Sequence, residues 1–142
     1  MSETLIFYYS INDKNVVFCL WSNKVPDINI SYDYILAALK KLVSINSVLP
    51  NEEPLAAFIA DEIRSYGLEP VWHEVAPGRP NVYASLGAGP TDKFLVFSGH
   101  SDTVPPASDW EHDPFRPLES NGRLYGLGAI NMKAGLACIL IN

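Results

Sequence analysis

Apolar positions change period along the chain, and each change marks a different kind of element. Leu5 to Tyr9 and Val16 to Trp21 are aromatic and β-branched runs, with Asn12-Asp13-Lys14-Asn15 between them as a turn signal. That pattern predicts a β-hairpin. Residues 22–30, with Pro26 and Asp27, read as a linker. A helical period follows. Ile35, Leu36, Leu39, Leu42 and Val43 form one stripe, which predicts a helix over about Tyr34 to Ser47, capped by Ser31 or Asp33. Pro50 ends that region. Glu52 and Glu53 stand where a second helix begins, and negative charge suits a helix N-terminus. Its stripe is Leu55, Phe58, Ile59, Ile63 and Tyr66, and Gly67 suits the position just past its end. Both helices read as scaffold.

Strand patterns then take over, at Glu69–Glu74, Asn81–Leu86 and Lys93–Ser98. Gly87-Ala88-Gly89-Pro90 is a turn between the last two; it lacks the Lys-Ser/Thr pair of a phosphate loop. Phe94 to Phe97 is apolar without alternation, which predicts a central strand covered on both faces. Helices around such strands imply an α/β layered fold. Met132 to Ile141 reads as a helix with almost no polar face, expected to be buried between layers. It stops at Asn142 with little room for a cap, so the natural domain is expected to continue and this chain to be a truncation.

Composition adds limits. With 142 residues the chain can form one domain with a real core. Its 48% apolar and 18% charged residues are ordinary for a soluble globular protein. A net charge of −6 argues against nucleic acid and anionic membrane as partners. Cys19 and Cys138 lie far apart in no ligand spacing and read as reduced, buried thiols. No apolar run approaches the roughly 20 residues of a membrane span, and Met1-Ser2-Glu3-Thr4 lacks the basic start of a signal peptide. The expected location is the cytoplasm.

The chemistry is concentrated in Phe94 to Gly135. His100 directly follows the apolar strand, and ligands bind at the carboxyl ends of strands in open α/β sheets. Asp102 is two residues on, so extended backbone points both side chains the same way. One ring nitrogen of His100 could then ligate a metal while Asp102 accepts a hydrogen bond from the other. The bland alternative is a surface histidine beside a turn-forming aspartate. Trp110 and Asp113-Pro114-Phe115-Arg116-Pro117 form a rigid aromatic loop able to wall a pocket. Gly122 and the Tyr125-Gly126-Leu127-Gly128 run allow close backbone approach, and Asn131 stands where a helix should start. His73 and His112 have no ligand spacing and read as a strand residue and a loop residue.

Three spaced motifs resemble one family: Gly99-His100-Ser101-Asp102-Thr103-Val104-Pro105, Trp110 with Asp113-Pro114-Phe115, and Leu124-Tyr125-Gly126-Leu127-Gly128-Ala129 through Asn131-Met132-Lys133. The family is that of aminoacylase, acetylornithine deacetylase, succinyl-diaminopimelate desuccinylase and carboxypeptidase G, the co-catalytic zinc hydrolases. The Leu-Tyr-Gly-Leu-Gly wording is somewhat nearer the acetylornithine deacetylase branch. The resemblance extends more weakly from about Tyr34 to the end and does not cover residues 1–30. It implies that residues 31–142 are the N-terminal portion of a zinc-exopeptidase-like three-layer α/β domain, whose central sheet is mixed and mostly parallel. Residues 1–30 are then an unassigned extension.

The resemblance also implies roles. His100 would ligate one of two zinc ions (cobalt or manganese being alternatives), and Asp102 would be the catalytic-site residue that orients it. Asn131 occupies the position of an aspartate that bridges both metals. The substrate would be an N-acyl amino acid or short peptide. The family's general-base glutamate, its other ligands and its dimerisation domain have no counterpart in this chain, although relatives are often homodimers. Two dications about 3.5–4 Å apart repel by roughly 20 kcal/mol at an effective dielectric near 20, and a bridging carboxylate offsets much of that. A neutral amide has one acceptor oxygen and turns its NH2 toward the second ion. Asn131 is therefore expected to keep a helix cap and lose the metal pair. Two functional expectations follow: an amide hydrolase that is inactive as this chain alone, or a non-catalytic decayed fragment serving as an interaction module.

Overall fold

Helices α1 (Tyr32–Ser44) and α2 (Glu53–Ser65) supply the largest share of the core. The structure, a computed structural model, describes residues 6–10, 15–17, 32–86 and 95–140, the first two stretches as backbone alone. The Ser31 cap, the 22–30 linker, the Gly87–Pro90 turn, Phe94 and Cys19 lie outside the described residues. Helix α1 begins before Asp33, which sits in its first turn and not at its cap. Leu42 and Val43 are its fully buried positions, and Ile35 and Leu39 pack against the same core. In α2 the buried stripe is Leu55, Ala56, Ile59, Ala60 and Ile63. Tyr66 falls just past it and is exposed.

The end of α2 follows from one glycine. Gly67 has φ +76°, its N–H donates to the Arg64 carbonyl at 2.9 Å, and Leu68 N–H donates to the Ile63 carbonyl at 3.3 Å. This pair of bonds satisfies carbonyls that the helix leaves open, and the left-handed backbone favours a residue without a Cβ.

Beyond α2 the chain forms a hairpin of β3 (Val71–Ala76) and β4 (Arg79–Tyr83), paired antiparallel with His73 opposite Asn81. Strand β3 lies two residues later than the expected Glu69–Glu74 at both ends, and β4 starts two and ends three residues earlier than the expected Asn81–Leu86. Strand β4 faces the core through Asn81 and Val82, whereas β3 is exposed along most of its length. Glu52, at the start of α2, is 0% exposed and ties that helix to β4: its Oε1 accepts a 2.7 Å bond from Arg79 Nε.

The remaining sheet has the order β2-β1-β5. Strand β1 (Ile6–Ser10) pairs antiparallel with β2 (Asn15–Val17) and parallel with β5 (Val96–Phe97), with Phe7 opposite Phe97. The fold is therefore mixed α/β, but among the described residues parallel pairing is limited to β1–β5 and a single bridge, Val48 to Thr103. Strand β5 is also shorter and less covered than its apolar run suggests. Leu95 is 46% exposed and Val96 40%. Apolar composition reports that a face can be buried, and burial still needs a layer on that face.

A third hairpin, β6 (Leu118–Ser120) with β7 (Arg123–Tyr125), turns at Asn121 and Gly122, both at positive φ. Asn-Gly between two short runs is a strong local hairpin signal, because that turn needs two left-handed residues. Helix α3 (Ala134–Leu140) then buries Leu136, Ala137 and Leu140 against α1 and α2. It starts two residues later than the expected Met132 and is one-sided, with Cys138 exposed where a buried thiol was expected; Ile141 lies outside the described residues.

The Glu52–Arg79 pair yields a stability prediction. Arg79→Met leaves a buried carboxylate without its cation, which should cost about 3–5 kcal/mol. Adding Glu52→Gln should recover a large part of the loss. Urea unfolding of the two variants measures this; a loss under about 1 kcal/mol in the single variant would mean the carboxylate is not desolvated as described.

Candidate functional site

Two strips of backbone face each other across a cleft of about 490 Å³. One strip is Gly99 to Val104, leaving β5. The other runs from Leu124 through Asn131. Their approach is close because small residues stand at the crossings. A Cβ on Gly99 would lie 2.6 Å from Met132 Cε and 2.9 Å from Leu136 Cδ2. Gly128 has φ +76°, and a Cβ there would lie 2.5 Å from Thr103 Cγ2. A side chain at either position would push the strips apart.

Both strips are fastened to the same short segment after α1. Thr103 N–H donates to the Ser47 carbonyl at 2.9 Å, and Leu49 N–H donates to the Thr103 carbonyl at 3.3 Å. On the other side, Lys133 Nζ donates to the Ile45 carbonyl at 2.8 Å. The aromatic loop is tied in as well: Leu127 N–H donates to the Pro114 carbonyl at 2.7 Å, and Asp113 Oδ1 accepts from Phe115 N–H at 2.9 Å. Trp110 thereby lines the cleft, with Val104, Tyr125 and the 94% exposed Ile130 at its rim.

The ring of His100 is held at both nitrogens. Its Nδ1 lies 3.0 Å from the Asp102 carbonyl oxygen and 3.1 Å from Asp102 Oδ1. Both partners are acceptors, so Nδ1 carries the proton and Nε2 points into the cleft. Nε2 lies 2.8 Å from Asn131 Oδ1. With an imidazolium, Nε2–H donates to that oxygen as it stands. With a neutral ring, Asn131 must turn its NH2 to the lone pair. In either state the amide sits on the nitrogen that would bind a metal.

This corrects one expectation. Asn131 does not cap the helix. Its backbone is non-helical (φ −121°, ψ 92°), the Asn131–Met132 peptide is cis, and α3 starts only at Ala134. Between them is a wide turn closed by i→i+5 bonds, from Lys133 N–H to the Gly128 carbonyl and from Ala134 N–H to the Ala129 carbonyl. Such turns re-aim side chains at the ends of helices. Here the turn aims Asn131 at His100.

The donor set does not fit a metal pair. It offers one imidazole nitrogen and one neutral amide oxygen, 2.8 Å apart. Two ligands on a tetrahedral zinc would be about 3.3 Å apart, so the spacing is that of a hydrogen bond. Among the described residues no group of three or more His, Cys, Asp or Glu could hold a metal ion. His73 is exposed on β3, and His112 lines a neighbouring cavity with Asp109, Glu111 and Arg116; neither lines this cleft.

Residues 96–141 match the profile of Peptidase family M20/M25/M40. The chain belongs to this family. It is 43% identical over 114 residues to a succinyl-diaminopimelate desuccinylase of Methylorubrum extorquens, a match covering 74% of this chain and 28% of that protein. It is 37% identical over 108 residues to the enzyme of that name from Gluconobacter oxydans, covering 74% of this chain and 28% of the relative. It is also 37% identical over 113 residues to an N-formyl-4-amino-5-aminomethyl-2-methylpyrimidine deformylase of Bacillus subtilis, covering 75% and 26%. The chain thus spans little more than a quarter of the curated relatives it matches. Their names describe removal of a succinyl group or of an N-formyl group. No helix among the described residues is long and apolar enough to cross a membrane.

Lys133 ends the third motif, which by itself assigns it no role. It is 1% exposed, and among the described residues no carboxylate pairs with it. Burial pulls its ammonium down from 10.5 to about 8. A lone lysine inside an apolar run from Ala129 to Leu140 was the available signal. The pH consequence has a definite sign. Below pH 8 folded and unfolded chains both carry the proton, and the buried charge is penalised. Between about 8 and 10.5 the folded chain releases it first, so the unfolded state binds more protons and stability rises with pH. The gain should approach ~3 kcal/mol across that window. Urea midpoints from pH 7 to 10.5, compared with Lys133→Met, isolate the term; identical slopes in the two proteins would contradict the burial of this charge.

Proposed function

We propose that this chain forms the histidine–aspartate wall of an amide-hydrolase site whose substrates are N-acyl amino acids or small peptides. We further propose that, as it stands, it does not turn them over. The observation that carries the reading is the 2.8 Å contact between His100 Nε2 and Asn131 Oδ1, with Asp102 on the other ring nitrogen. The histidine is oriented as a metal ligand is oriented, by a carboxylate that fixes its tautomer. The residue facing it is an amide, which supplies neither the charge nor the second oxygen needed between two dications.

Family membership and the acyl-removing activities named for the relatives support the substrate class. In a complete domain of the family, the strips at 99–104 and 124–133 would belong to a three-layer domain with a mixed, mostly parallel sheet. What these residues do by themselves is limited to position and shape. Asp102 holds the His100 ring, and the Trp110 loop and Ile130 give the cleft an apolar rim. Hydrolysis needs an activated water and a base.

The second reading, a decayed and non-catalytic member, is favoured by the same Asn131. The two diverge on one substitution. If only the bridge is lost, Asn131→Asp should raise zinc affinity at least tenfold, because it restores a full negative charge beside His100. Zinc calorimetry on the original chain, Asn131→Asp and Asn131→Asp/His100→Ala reads this. The original chain should bind at most one weak ion, and the double variant should lose the gain. Tight uptake of two ions by the original chain, with acyl-amino-acid hydrolysis above a His100→Ala control, would sink the proposal. No gain in Asn131→Asp would favour the decayed reading.

A further inference from the structure

The wide turn that carries Asn131 is short, non-helical in the middle and solvent-facing at Ile130. Its i→i+5 backbone bonds shape the turn but do not by themselves place it against the His100 strip. Its position is set at the two ends of the turn. At one end Gly128 packs on Thr103, the residue next to Asp102, at a distance that only glycine allows. At the other end stands Lys133, and it is held twice. Its backbone N–H donates to the Gly128 carbonyl at 2.9 Å, which closes the turn. Its side chain passes Gly128, whose Cβ position would lie 3.4 Å from Lys133 Cδ and Cε, and ends on the Ile45 carbonyl.

Ile45 belongs to the segment that also grips the His100 strip. Ser47 and Leu49 are bonded to both sides of Thr103, as neighbours of the parallel bridge at Val48. The two walls therefore share one anchor, segment 45–49, and the Lys133 ammonium is the side-chain link from the Asn131 wall to it. Burying an unpaired ammonium is unfavourable, and a methionine of similar length would fill the space more cheaply. A buried cation that donates to the Ile45 carbonyl fits a requirement for direction: a long stem with a donor at its tip reaches a fixed carbonyl, which an apolar side chain cannot do.

We infer that Lys133 is a positioning residue, holding the Asn131 turn in register with His100 through the Ile45 carbonyl. It does not itself line the cleft and its ammonium is bonded to Ile45, so it acts through the Gly128–Asn131 turn. The inference rests on the reading above that His100 and Asn131 form the site.

The test is 15N NMR of the histidine rings and of the asparagine side-chain amides in the full chain, with His100 and Asn131 signals assigned by His100→Gln and Asn131→Ala. In the original chain, His100 should show a single tautomer protonated at Nδ1, and the Asn131 amide should exchange slowly with water. Lys133→Met should keep the fold by circular dichroism. It should shift the His100 Nε2 signal toward that of exposed His112 and speed Asn131 amide exchange at least tenfold. Lys133→Arg keeps a donor and should retain the original signature; if the methionine variant fails to fold, the arginine variant decides, and its loss of the signature while folded overturns the inference. A folded Lys133→Met chain with unchanged His100 and Asn131 signals also overturns it, while leaving the site reading intact. An original chain with no His100–Asn131 bond overturns both.

Discussion

The segment from Ile45 to Leu49 is the constraint on which the site depends. It has no regular structure, yet three bonds converge on it, two from the strip that bears His100 and one from the turn that bears Asn131. Its own position is fixed by what flanks it. On one side is α1, which buries Leu42 and Val43; on the other is α2, which begins at the buried Glu52. The core thus reaches the cleft through a few residues of loop backbone. Loops that carry function are held in this way, by scaffold elements whose packing is decided elsewhere.

The chemistry at the cleft is a balance between two demands on one residue. A metal pair needs a carboxylate opposite His100. The observed amide instead satisfies His100 directly, with the ring fixed between Asp102 and Asn131. Such a closed pair needs no ion to be stable, since each nitrogen has a partner. On the proposed reading, a hydrolase-like frame and a neutral amide at Asn131 are compatible in one fold, because packing and coordination rest on different atoms. Gly99, Gly128 and the Lys133 stem shape the frame, and none of them is a donor to the cleft.

Much of the scaffold was legible. The stripes of α1 and α2 appear where their periodicity put them, and Gly67 ends α2 as its lack of a Cβ permits. His100 and Asp102 share a side as expected of extended backbone two residues apart. Other features were not legible, for identifiable reasons. The turn at Asn131 is closed by local i→i+5 bonds and anchored by one bond from Lys133 to Ile45, 88 positions away, and helix-capping propensity carries neither. The exposure of Leu95 and Val96 depends on which layers cover β5, and composition does not carry that. The β6–β7 hairpin has its signal in Asn121-Gly122, but the runs beside that pair are only three residues each, too short for a strand pattern to stand out.

The central claim is that Asn131 takes the metal position of His100. The most direct measurement is anomalous diffraction at the zinc edge from crystals of this chain grown with excess zinc. The account predicts no peak within ligand distance of both His100 Nε2 and Asn131 Oδ1, and a hydrogen bond between them. A strong peak between those two atoms, with the atoms spread to about 3.3 Å to admit it, would contradict it.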